Sequence, residues 1–192
     1  MKAYLQSTDV IDWDTPEILT LARDLSDKSI SQVDLAKYCF EWVRDNIRHS
    51  WDYQLNPVTC TASDVLKHGT GYCYAKSHLL AALLRANRIP AGLCYQRLSV
   101  NDTGAPYCLH GLNAVFLPDT GWYRIDARGN KEGINAQFKP PVEQLAFVLQ
   151  DDNEIDFDAV LAEPLPAVID VLRQCKTVAE VYNNLPDTET IP

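Results

Sequence analysis

Cys73 stands directly behind a glycine-broken turn, Gly69-Thr70-Gly71-Tyr72, and opens a strongly helical stretch. A thiol in the first turn of a helix lies at the positive end of the macrodipole, which favours the thiolate, the nucleophilic form. The glycines before it let the backbone come close to a substrate. Position alone is also compatible with a small buried residue opening a core helix. A nucleophilic thiolate needs a base, and the base needs a group that orients it.

Only four histidines are available. His78 lies five residues past Cys73 on the same helix, about 140° around the axis, so it points elsewhere. His68 precedes the helix with nothing to orient it. His49 follows a predicted helix and reads as a surface or helix-end residue. His110 lies in a strand-like run and alternates with Leu112, Ala114 and Phe116. It is either a satisfied core histidine or a base shielded from water. Asp126 closes the next strand-like run, Trp122-Tyr123-Arg124-Ile125-Asp126, where an acid is disfavoured unless it has a partner. If these runs form an antiparallel hairpin, His110 and Asp126 share a face only when the loop between them has an odd length or a bulge. Gly121 is the residue suited to that.

The elements that must hold these residues follow from local pattern. Asp14-Thr15-Pro16-Glu17 reads as a helix start, with Ile18, Leu19, Ala22 and Leu25 as its apolar stripe. A second helix begins at Ser31, with Asp34 as capping partner, and runs to about Ile47 on Val33, Ala36, Phe40 and Val43. Residues 48–60 read as a loop, 62–67 as a short helix or turn, and Cys73 to Asn87 as a helix ended by Ile89-Pro90. Strands are expected at 93–100, 109–117 and 122–127, the last two joined by Pro118-Asp119-Thr120-Gly121. Further on, Val142 to Gln150, Ala167 to Cys175 and Thr177 to Asn183 read as short helices. The residues from Pro186 read as a frayed tail.

With 17 Lys+Arg against 26 Asp+Glu, the chain carries a net charge of −9, which argues against nucleic acid as a partner. Its 192 residues fit one domain: N-terminal helices over 1–50, a core over 60–130 and a helical extension over 140–192. The N-terminus shows no apolar leader, and no run is long enough for a membrane span, so the expected location is the cytoplasm. The six cysteines (39, 60, 73, 94, 108 and 175) are then read as free thiols. No Cys/His spacing suits zinc and Asp151-Asp152-Asn153-Glu154 lacks the marks of a calcium loop, so neither metal nor cofactor is expected.

Three blocks taken together carry a resemblance. Gly71-Tyr72-Cys73 with the following Leu-Leu-Ala-Ala-Leu-Leu-Arg-Ala-Asn-Arg-Ile-Pro-Ala, then Leu109-His110-Gly111-Leu112-Asn113-Ala114-Val115, then Gly121-Trp122-Tyr123-Arg124-Ile125-Asp126, are similar to the core of the transglutaminase-like superfamily. The likeness spans roughly 35–130. It implies an α+β fold, a papain-like or transglutaminase-like core in which helices pack on an antiparallel sheet with the nucleophile at a helix N-terminus. It also implies a Cys73–His110–Asp126 catalytic triad. The chain departs from the family pattern at Arg88, at Ala91-Gly92 and at Ala127-Arg128, none of them a triad position. The implied chemistry is attack of the thiolate on a carboxamide or peptide carbonyl of a peptide, protein or small amide, through a thioester. Cysteine protease, amidase and transamidase share those parts. The residues also leave open a binding or scaffold protein that keeps the fold without turnover.

Overall fold

The computed structural model describes residues 1–192. After a 3-10 turn at Lys2–Leu5 come α1 (Pro16–Ser26), α2 (Gln32–Asn46), β1 (Arg48–His49), α3 (Ser50–Tyr53), α4 (Ala62–His68), β2 (Thr70–Gly71) and α5 (Cys73–Ala86). Then follow β3 (Ala91–Ser99), β4 (Tyr107–Leu117), β5 (Gly121–Ile125), β6 (Gln137–Lys139), β7 (Val142–Gln144), β8 (Ile155–Asp156), α6 (Pro166–Gln174) and α7 (Val178–Asn183). Four strands form one sheet in the order β5-β4-β3-β8, antiparallel throughout. Helix α5 packs on β3 and β4, and α1, α2 and α4 pack around α5. This is the expected α+β arrangement. No helix is long and apolar enough to cross a membrane.

Local chemistry sets the helix starts. The Ser31 hydroxyl accepts from Asp34 N at 3.0 Å, Thr61 Oγ1 from Asp64 N at 3.1 Å and Thr177 Oγ1 from Glu180 N at 3.2 Å. Each side chain satisfies an N–H that the first turn leaves free. Helix α5 is different, because every residue from Cys73 to Arg85 is buried. Most of its polar groups are satisfied internally, His78 Nε2 being without a partner. The Arg85 guanidinium donates to the carbonyls of Gln6, Ala91 and Ala162. Lys76 Nζ donates to the carbonyls of Ile47 and, at 3.4 Å, Arg44, capping the C-terminal end of α2.

Two glycines set the geometry of the sheet beside α5. A Cβ on Gly111 would stand 3.0 Å from Tyr74 Cδ1 and 3.1 Å from Tyr74 Cα, so the first turn of α5 lies almost against the β4 backbone. Gly121 takes φ +76° at the start of β5 and closes a three-residue loop, since Leu117 pairs with Gly121. The loop is therefore odd in length, as the shared face of His110 and Asp126 requires. Asn113 pairs with Ile125, and Asp126 falls just past the end of β5.

Three expectations for the C-terminal third are corrected. Residues 142–150 are not a helix: β6 and β7 form a hairpin, and 145–150 run on without regular structure. Here the backbone is committed to side chains elsewhere, with Tyr123 Oη donating to Val142 O at 2.9 Å and Ala146 N donating to Asp126 Oδ2 at 3.2 Å. The 140–192 extension is helical only in α6 and α7. The tail from Pro186 is also not frayed, for Pro186 is buried and its carbonyl accepts from Leu109 N at 2.7 Å.

Replacing Gly111 with Ala tests the close approach of α5 to β4. The added methyl meets backbone as well as a ring, so an overpacking loss of about 1–3 kcal/mol is expected. For a chain of this size that lowers Tm by several degrees in a thermal melt. An unchanged Tm would show that α5 has room to move.

Candidate active site

Cys73 is the first residue of α5, with Tyr72 as N-cap, and its side chain is buried. Its sulfur lies beside β4, where Gly111 N donates to Sγ at 3.4 Å. The parallel pair β1–β2, Arg48 with Thr70 and His49 with Gly71, fixes the chain immediately before Tyr72. The Thr59 hydroxyl donates to Thr70 O at 2.9 Å and holds the turn from the other side. None of the six cysteines forms a disulfide.

His110 and Asp126 meet across the hairpin. Nε2 of His110 donates to Oδ2 of Asp126 at 2.7 Å, and both side chains are almost wholly withdrawn from solvent. This leaves Nδ1 as the ring nitrogen not bound to Asp126. Asp126 accepts two further hydrogen bonds, from Arg128 N at 3.0 Å to Oδ1 and from Ala146 N at 3.2 Å to Oδ2. Burial by itself pushes this carboxyl up, but the His110 charge and hydrogen bond, with the two amides, outweigh it and hold it below its ordinary value. Burial likewise pushes the imidazole down. The Asp126 carboxylate and the charge of, and hydrogen bond to, Cys73 overcome that and raise it to about 10. The arrangement favours an imidazolium paired with the Asp126 carboxylate. The Phe147 ring stands edge-on to His110 at 4.9 Å and shields it from water.

A cavity of about 510 Å³ opens over Cys73 and His110. One wall is the pair Trp51 and Tyr182, stacked 3.7 Å apart and nearly parallel, and Phe147 and Leu185 also line the cavity. His49 lines it too, with the Tyr72 ring at 5.5 Å. Its Nδ1 is buried without a hydrogen bond, 3.6 Å from Asp52. Burial, then the nearby Arg128 charge, drives the His49 imidazole well below its ordinary value, so it is neutral. Asp52 is held down at about 2: burial works against this, and the Arg128 and Lys131 hydrogen bonds outweigh it. Arg128 grips Asp52 with both terminal nitrogens, at 2.7 and 3.0 Å. Lys76, on the next turn of α5, is wholly buried. Burial and then Arg128 push it down to about 7, against Asp126, Asp45 and Asp52. No group of side chains is arranged to hold a metal ion.

The structure thus places Cys73 and His110 at one cavity, with Asp126 buried behind the His110 ring and hydrogen-bonded to it. His78 points away, its Nδ1 2.7 Å from Cys60 O, and His68 does not line the cavity. His49, read from sequence as a surface or helix-end residue, is buried at the cavity. Several contributors were not foreseen. Arg128 could have been found, since an Asp accepting the N–H two residues on is a common turn. Phe147 and Tyr182 carried no signal, because their place depends on how the last third wraps back over the core.

A family described as the transglutaminase-like superfamily matches residues 19–127, more than half of the chain. No curated protein sequence matched significantly. Among solved structures, a candidate cysteine protease from Cytophaga hutchinsonii is similar at TM-score 0.53 and 20% identity, over 65% of this chain and 40% of that one. The periplasmic domain of TgpA from Pseudomonas aeruginosa matches at TM-score 0.49 and 20% identity, over 65% of this chain and 45% of its own. A candidate protease from Parabacteroides distasonis matches at 0.45 and 18%, over 71% and 26%. This chain spans less than half the length of each of these structures.

The titration of the site has a definite sign. His110, raised to about 10, contributes stability that is complete below the unfolded imidazole value of 6.5 and is lost as pH rises through about 10. Lys76, lowered to about 7, works the other way, since the native state then holds fewer protons than the unfolded chain above that pH. The quantity to measure is therefore a difference. The unfolding free energy of wild type minus that of His110→Gln should shrink from pH 6.5 to 10 in denaturant titrations. A difference that is flat over this range would mean the buried pair carries no net proton.

Proposed function

Because this chain belongs to the transglutaminase-like superfamily, whose members typically carry out cysteine-dependent acyl transfer or proteolysis, we propose that it performs thiol-dependent acyl chemistry on a carboxamide or peptide bond. Cys73 is the nucleophile, His110 the base and Asp126 the orienting acid. The observation that carries this reading is the buried 2.7 Å His110–Asp126 pair standing at the same cavity as a helix-start cysteine.

In this reading Asp126 fixes the imidazole with Nε2 protonated, and Nδ1 takes the thiol proton or holds it in a preformed ion pair. The Gly111 amide at 3.4 Å supports the sulfur in its anionic form. The thiolate adds to the carbonyl carbon, and the carbonyl electrons move to oxygen. The Cys73 N–H, free in the first turn of α5, faces that oxyanion. A second donor comes from the segment His49 to Tyr53, of which His49, Trp51 and Asp52 line the cavity. His110 then passes its proton to the leaving amine and a thioester remains. Water or a second amine, deprotonated by the same imidazole, takes the acyl group and regenerates the thiol. The acceptor decides between hydrolysis and transamidation.

An iodoacetamide-type probe followed by peptide mapping tests the nucleophile. Cys73 should label ahead of the other five thiols, and Cys73→Ala should remove that label without a large change in Tm. With an activated acyl ester, mass spectrometry should detect an acyl adduct on Cys73. Asp126→Asn should slow its formation at least about tenfold while the fold is kept, because the amide no longer selects the tautomer. Uniform labelling of all six cysteines, or an undiminished acylation rate in Asp126→Asn, would favour a non-catalytic binding or scaffold role.

A further inference from the structure

Strand β4 is paired with β5 only from Asn113 onward, so between Tyr107 and Leu112 its outer edge is free of sheet partners. Two successive outward amides on this edge are nevertheless engaged. Gly111 N donates to the Cys73 sulfur at 3.4 Å, and Leu109 N donates to the Pro186 carbonyl at 2.7 Å. Amides two residues apart on a strand lie about 7 Å from each other on the same side. A backbone carbonyl from the end of the chain is therefore docked one step along the strand from the reactive sulfur. Main-chain pairing at an exposed edge, with side chains entering pockets on either side, is how extended peptides are recognised.

The side chains flanking Pro186 fit that pattern. Leu185 lines the cavity that also holds Cys73 and His110. Asp187 is held by Arg97 in a bidentate pair, Nε to Oδ1 at 2.6 Å and Nη2 to Oδ2 at 2.9 Å. Arg97 is only 7% exposed and is set in advance for a carboxylate. Its Nη1 donates to Asn153 O at 2.8 Å, and the guanidinium lies 4.2 Å from the Tyr107 ring centre. A planar fork held at its third nitrogen and stacked on an aromatic face is a carboxylate receptor rather than a mobile surface charge.

We propose that the Leu109 amide on the outer edge of β4, with the place of Leu185 and the Arg97 guanidinium, forms a substrate-binding edge for extended peptides with an apolar residue followed two positions later by a carboxylate, and that residues 185–187 occupy it as such a peptide would. The proposal rests on the reading of the site as one that acts on peptide bonds, and narrows it to a class of sequence. An incoming peptide places its apolar side chain where Leu185 sits, its next carbonyl on Leu109 N and its carboxylate on Arg97. The chain's own segment competes with it.

The probe is a fluorescein-labelled hexapeptide of residues 184–189, Asn-Leu-Pro-Asp-Thr-Glu, titrated against the full chain carrying Cys73→Ala so that no chemistry intervenes. Adding Asp187→Lys sets a cation against Arg97 and frees the edge, so anisotropy should report binding about tenfold tighter or more. Arg97→Leu in that background, or Lys for Asp in the peptide, should abolish the gain. If Asp187→Lys binds no better than its parent, or the peptide's carboxylate makes no difference, the proposal is overturned. A second measurement covers a variant that folds poorly. In the parent under millimolar peptide, the NMR amide shifts of Leu185 and Asp187 should move to random-coil values while the Leu109 amide keeps its protection from exchange, and unmoved shifts at 185 and 187 overturn the proposal equally. Binding without any acyl adduct on wild-type Cys73 would remove the catalytic reading and leave the peptide edge standing.

Discussion

The contact on which the site depends is the approach of the first turn of α5 to the backbone of β4. A Cβ at residue 111 would be tighter against Tyr74 than ordinary packing allows, so a glycine here lets the two come this close. That approach places the Cys73 sulfur on an edge amide of β4 and the Tyr74 hydroxyl on the neighbouring Leu109 carbonyl. It is possible only because β5 stops pairing at Asn113. The strand that presents the imidazole thus also receives the helix that presents the thiol. Cys73 and His110 are placed by one local packing decision and not by two independent ones.

The electrostatics follow from burial. An isolated ionised group in such a place would shed its charge, so each charge near Cys73 has a stated partner. Asp126 has His110 and two amides, Asp52 has Arg128 and Lys131, and Lys76 has the carbonyls that end α2. His49 is the exception: its Nδ1 is unpaired and its ring is kept neutral by burial beside Arg128. A buried polar group without a partner is costly, and this one stands at the wall of the cavity.

Much of this was legible in the sequence where the determinant is local. Pro16, Ser31 and Asp34 announce α1 and α2, and the position of Cys73 behind Gly71-Tyr72 announces the start of α5. The parity of the β4–β5 loop followed from asking His110 and Asp126 to share a face, and the three-residue loop closed by Gly121 meets it. What was not legible depends on distant partners. The run 142–150 has a helical composition, but its amides and carbonyls are claimed by Tyr123 and Asp126. The tail after Asn183 looks featureless until Leu109 and Arg97 are set against it. His49 reads as a helix-end residue because nothing nearby in sequence tells that β2 and Tyr72 will cover it.

The reach of Arg85 has a consequence for how the protein is made. Its guanidinium joins the carbonyls of Gln6, Ala91 and Ala162, and at the opposite end of α5 the Tyr72 hydroxyl donates to Val178 O at 2.7 Å. During synthesis the N-terminal helices and the cysteine helix leave the ribosome well before Ala162 and Val178 do. Until those later residues emerge, a buried cation lacks an acceptor and the turn that presents the thiol lacks its outer support. The nascent polypeptide therefore carries Cys73 through translation without the finished surroundings, and gains them only when residues 162–178 close back on α5.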